Sequence, residues 1–284
     1  MTGTTSGYKG ELYSSGAIYP DNATSSESAQ IPLSHDLTRD QLNSFPPSRA
    51  EFKETKKCIE SFDESLTEDP NALCAFFLSH LTKPQVEIII RGAHSGPKNN
   101  VDPRYPESGY PDFRIAIDIS HLVNEWTSLA THAIDEKGNR KTLSNVLQEF
   151  TNSENSFKQI SVRKWIDWNA AELEKAIDNM IRSTTGYKHF IWTTFQVKQK
   201  HITVNSSSSL AKASQSGFIW CLCVVSCLWI LCLPVYRLSR EKIDGKLLAH
   251  YPMAITEKDF YERNAVKILE AVTTNNYKAN WVCP

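Results

Sequence analysis

A cysteine thiol with a histidine in reach is a nucleophile–base pair, and Cys74 has two histidines near it in sequence, His80 and His94. A buried cysteine with surface histidines nearby is far more common, and the spacing alone does not lift Cys74 above that reading. Asp112 and Asp118 lie an even number of residues apart, which places both on one face of a strand together with Arg114. That pattern predicts a solvent-facing ion pair between Arg114 and Asp118, worth about 0–1 kcal/mol and saying little about function. The chain contains no H-E-x-x-H, no G-x-S-x-G, no G-x-G-x-x-G and no phosphate-cradling loop ending in Gly-Lys-Ser or Gly-Lys-Thr. The residues therefore predict no catalytic, cofactor-binding or metal-binding side chain.

The remaining cysteines are unevenly placed. Cys221, Cys223, Cys227 and Cys232 fall within one apolar run and have no histidine among them, which argues against a tetrahedral zinc site. Small polarizable side chains pack well in lipid or against another helix. Cys232 is nearest the basic residues that follow, so it is the candidate for palmitoylation. Cys58 and Cys74 could pair only in an oxidising lumen.

The apolar run itself is the strongest signal. Gly217 to Tyr236 reads GFIWCLCVVSCLWILCLPVY and carries no charge over twenty residues, the length at ~1.5 Å per residue that crosses a hydrocarbon core of about 30 Å. Trp220 and Tyr236 supply aromatic anchors near its ends, Trp229 lies within it, Pro234 stands near the exit, and Arg237, Arg240 and Lys242 form a basic collar directly after it. A soluble core helix would show a polar stripe, and this run shows only Ser226 and thiols. One transmembrane helix is expected, since twenty residues are too few for a hairpin that spans twice.

With 31 basic and 32 acidic side chains among 284 residues, the chain lacks the concentrated basic face that nucleic acid requires. Residues 1–50 are rich in Ser, Thr, Pro, Gly and Asn and are expected to form a disordered leader without a secretory signal. From 51 to 205 the pattern becomes that of a soluble α+β domain. Residues 51–80 predict one or two helices, and Gln85–Arg91 and Phe113–Ile119 predict strands, the second alternating apolar and polar. Leu143–Phe150 predicts a short helix, and Phe157–Trp165, Phe190–Val197 and Ile202–Val204 predict further strands. Between them, Asn169 with Glu172 opens a helix that Gly186 closes. The expected fold is a mixed or antiparallel sheet with helices on one face, followed by a polar linker at 206–216, the membrane helix at 217–236, and a basic segment with an amphipathic tail helix at 237–284.

The order of DFRIAIDIS at 112–120, a strand ending in Trp165, WNAAELEKAIDNMIRSTTGYKHFIWTTF at 168–195, and a Trp-rich apolar span closing on a proline and basic residues resembles a group of uncharacterised fungal single-pass membrane proteins. The resemblance covers roughly residues 80–245. It implies an architecture and a fungal membrane setting, and transfers no site residue.

The function expected from these features is a non-enzymatic adaptor or scaffold of the endomembrane system, in the endoplasmic reticulum or Golgi. The bilayer and a protein partner, bound through the α+β domain or the tail helix, are its expected contacts. The alternatives are a small subunit of a larger membrane complex and a membrane-anchored enzyme of unknown class. The absence of a signal segment favours a cytosolic amino-terminal domain with the tail across the membrane, which the sequons at Asn22 and Asn205 would report.

Overall fold

In the computed structural model the described residues are 36–39, 45–94, 110–208, 242–274 and 278–284. They form two mixed sheets and five helices. Strands are numbered in chain order: β1 Asp36–Thr38, β2 Lys53–Glu54, β3 Cys58–Ser61, β4 Val86–His94, β5 Tyr110–Asp118, β6 Ser128–Thr131, β7 Gln159–Asp167, β8 Phe190–Val197, β9 His201–Asn205, β10 Lys242–Pro252 and β11 Ala279–Val282. The helices are α1 Ser65–Glu68, α2 Pro70–His80, α3 Leu143–Asn152, α4 Ala170–Thr185 and α5 Glu257–Thr273.

The larger sheet has the order β1-β6-β10-β7-β9-β3-β2, and the smaller one β11-β5-β4-β8. Ile160, Val162, Leu247, Ala249, Tyr251, Ile202 and Val204 of the larger sheet join Leu73, Phe76, Phe77, Leu147 and Phe150 of α2 and α3 in one core. The smaller sheet carries α4 and α5 against β8 and β5, with the Trp168 ring edge-on to Phe195 and Phe260. The alternation of β5 buries Phe113, Ile115 and Ile117 as its pattern requires.

Local signals explain the helices that the sequence placed. Asn169 caps α4 by accepting from the Glu172 amide, and Gly186 ends it in the left-handed conformation at φ 69°. Thr256 and Asp259 complete a capping box at α5. The first half of 51–80 departs from the helical expectation. It forms β2 and β3, and Ile59 pairs with Ile202 of β9 in parallel. Here a partner strand overrides local pattern, as is common for short apolar runs.

Two domain boundaries also change. The leader expected to be disordered contributes β1, where Leu37 is fully buried opposite Leu129. The segment expected as a separate juxtamembrane tail is a central part of the fold. Strand β10 lies between β6 and β7, with Leu247, Ala249 and Tyr251 beside Val162, Lys164 and Ile166. Strand β11 extends the smaller sheet alongside β5, and α5 packs on α4. The tail helix therefore buries Phe260, Ile268 and Ala271 against its own chain.

Among the described residues no helix is long and apolar enough to cross a membrane. The run Gly217–Tyr236, with Trp220, Trp229 and Pro234, lies outside them, as do Asn22, Cys232, Arg237 and Arg240. Lys242 begins β10 opposite Gln159.

Candidate functional site

The richest polar constellation sits where the β4–β5 hairpin meets the loop between α4 and β8. The register of these strands slips between Gly92 and Ala93, so that Gly92 faces Phe113 while Ala93 faces Pro111. Asp112 is the extra residue of that bulge, and a bulge re-aims the side chain it carries. The strand parity that grouped Asp112 with Asp118 and Arg114 therefore fails at this position. Asp112 Oδ1 lies 2.5 Å from His94 Nδ1, and the Tyr187 hydroxyl donates to Asp112 Oδ2 at 2.6 Å. The His189 ring stands 5.6 Å from that of His94 and 5.5 Å from that of Tyr187. Burial, and then the bond to Asp112, push the Tyr187 phenol well above its ordinary pKa. Gly92 makes the close approach possible, since a Cβ there would stand 2.2 Å from the Phe113 ring.

By strand alternation Arg91, Arg114, Phe190 and Trp192 share the other face of the smaller sheet. Arg91 stands opposite both Arg114 and Trp192, and the Trp192 ring stacks on Phe190 at 5.7 Å. Phe190 is 58% exposed. Aromatic and arginine side chains on one exposed surface are the residue types that anchor protein contacts.

The sequence-derived pair at Cys74 is not assembled. Cys74 is fully buried in α2, and burial pushes its thiol up to about 12. His80 Nδ1 is hydrogen-bonded to the Phe76 carbonyl at 2.8 Å, its ring packs on Phe52 and Phe76, and burial lowers its pKa. His94 belongs to the Asp112 cluster. Asp118 is bonded by the Ser120 amide at 2.8 Å and hydroxyl at 2.6 Å. Burial raises its pKa, but those two bonds outweigh it and leave the carboxyl below its ordinary range. Asn205 is 4% exposed and accepts from Gln159 Nε2 at 3.0 Å. Lys198 and Lys200 flank the β8–β9 turn, at the opposite end of β9 from Asn205.

Two buried lysines escaped sequence reading, because nothing in a strand pattern distinguishes an inward lysine from an outward one. Lys158 donates to the Thr67, Thr151 and Ser153 carbonyls at 3.2, 3.0 and 2.8 Å and lies 5.1 Å above the Phe150 ring. It serves as a cation at the carboxyl ends of α1 and α3. Lys164, 1% exposed, donates to the Thr82 carbonyl at 2.8 Å, which also accepts from the Tyr251 hydroxyl at 3.2 Å. Burial lowers the Lys164 pKa from 10.5 to about 8.

At pH 7 this lysine is charged in both folded and unfolded chains, and its burial costs stability. As pH rises through about 8 the folded chain releases the proton while the unfolded chain holds it to 10.5, so stability rises over that window, by about 3 kcal/mol in all. Lys164→Met is expected to be neutral to stabilising at pH 7 and to abolish the alkaline rise. Urea unfolding at pH 7, 8, 9 and 10 checks this, and an unchanged pH slope in the variant refutes it.

The grooves near these elements are open, and the widest, of about 760 Å³, lies along Ala176, Met180, Ser183 and Tyr261. One of about 430 Å³ is bordered by Phe45, Pro46, Arg49, Leu66 and Ala72, and another of about 400 Å³ by Glu174, Asp178, Arg182 and Thr193 between α4 and β8. Among the described residues no group of three or more histidine, cysteine, aspartate or glutamate side chains could hold a metal.

Comparison with known proteins finds no match: no family model, no curated protein and no solved structure resembles the chain. The resemblance to a fungal single-pass family does not hold. No family is found, and no described helix provides its Trp-rich span.

Proposed function

We propose that this protein is a membrane-attached adaptor or scaffold, held at an endomembrane surface by its apolar run and binding a protein partner through its α+β domain. One observation carries the reading. The uncharged residues Gly217–Tyr236 stand in sequence between two stretches of chain that share a single core, and twenty residues without a charge are long enough to enter a bilayer. Burying its ten Leu, Ile, Phe and Val residues in lipid is worth about 3–6 kcal/mol on an insertion scale. The adaptor part rests on the exposed Phe190 ring stacked on the half-buried Trp192, on the sheet face that also carries Arg91 and Arg114.

The test is carbonate extraction of membranes from cells expressing the full chain and a variant lacking Phe218–Val235. The intact protein is expected in the pellet and the variant in the supernatant. In the variant, residues 209–217 join 236–241, and at ~3.3 Å per residue this is ample chain to bridge strands two positions apart in a sheet, about 10 Å. The shortened protein should therefore keep the melting behaviour of a folded domain. Release of the intact protein by carbonate refutes the membrane attachment.

A further inference from the structure

The apolar run leaves the domain and rejoins it at one place. Strand β9 runs antiparallel to β7 and ends with Asn205 opposite Gln159. Strand β10 runs parallel to β7 and starts with Lys242 opposite the same Gln159. The exit and the return therefore flank one residue, about 10 Å apart across β7. Past Asn205 the chain is still tied to that end of the sheet, because the Ser206 amide donates to the Lys158 carbonyl at 2.9 Å and the Ser208 hydroxyl to the Ser156 carbonyl at 2.6 Å. After the return, β10, α5 and β11 all pack with elements that precede the run.

A single crossing would put β10 on the far side of the bilayer from β6 and β7. That would remove an interior strand of the larger sheet and leave Val162 and Leu129 without Leu247 and Ala249. Two full crossings need about 40 apolar residues. The flanks do not supply them: Lys212 precedes the run, and Arg237, Arg240 and Glu241 follow it.

Building on the membrane attachment proposed above, we infer that the described segments before and after the run lie on the same face of the bilayer. The amino-terminal part, the domain and the tail then share one compartment, and the end of the domain bearing Gln159, Asn205 and Ser208 faces the lipid. The expectation of a tail across the membrane is replaced by this arrangement.

The experiment uses sealed membranes from cells expressing the full chain with a different epitope at each end, treated with protease with and without detergent. Both epitopes are expected to respond alike, either both cut in intact vesicles or both protected until detergent is added. A second arm joins the tail to the domain covalently. Ala116 of β5 and Asn280 of β11 are register partners, so Ala116→Cys with Asn280→Cys should give, on oxidation of the membrane-bound protein, a reductant-sensitive mobility shift that neither single variant shows. One epitope cut and the other protected, in protein that resists carbonate, overturns the same-face arrangement and leaves membrane attachment standing. Failure of the cysteine pair to join in that protein also counts against it. Release of the protein by carbonate removes membrane attachment and this inference together.

Discussion

Truncation after Ser208 is expected to abolish folding of the domain rather than trim a tail from it. The cut removes β10 from between β6 and β7, takes β11 from the edge of β5 and uncovers α4 where α5 packs. Leu247, Tyr251, Phe260 and Ile268 are all fully buried, and at about 1.5–3 kcal/mol for each large apolar side chain their loss alone is comparable to the ~5–15 kcal/mol by which a domain is stable. The freed edges of β6 and β7 would add an unpaired template for aggregation. Residues 1–208 should therefore be recovered insoluble or without a cooperative thermal transition. A monomeric, protease-resistant fragment melting where the parent melts would show that the tail is dispensable. Deletion of Phe218–Val235 is the companion experiment, because it removes the apolar run and spares every strand.

Ile177→Asp is expected to be the most damaging single substitution on α4. Ile177 is fully buried with Leu173 and Ile181 on the face of α4 turned to the core. A carboxylate there must either stay charged without a partner or take up a proton, and the cost of several kcal/mol is a large share of total stability. Lys175→Ala on the exposed side of the same helix should change stability by less than about 0.5 kcal/mol. Urea unfolding of both variants separates the outcomes, and equal midpoints would show that α4 does not face the core as described.

The elements that sequence reading located share one property: their signals are local. The cap and the left-handed glycine of α4, the capping box of α5, the alternation of β5 and the apolar spacing of α3 are each written within a few residues. Strand β10 had a local signal too, because Leu247, Ala249 and Tyr251 alternate with Leu248 and His250. It passed unread because the preceding apolar run suggested that everything after it lay beyond a membrane. β1 and β11 are three and four residues long, too short to declare themselves without a partner strand.

By itself the chain determined its α+β character, the caps and spans of its longer helices, the absence of a familiar catalytic motif and the presence of one uncharged run long enough to enter a bilayer. Tertiary structure alone decided what those pieces are next to. Pairing turned Cys58–Ser61 into a strand, a one-residue bulge moved Asp112 from a strand face to His94 and Tyr187, and the two neighbours of Gln159 set Asn205, before the apolar run, and Lys242, after it, on either side of one strand. The physical reason is common to all three. Helix propensity, caps and period-2 alternation act over a few residues, whereas strand pairing and register join segments tens to hundreds of residues apart, through contacts that no window along the sequence contains.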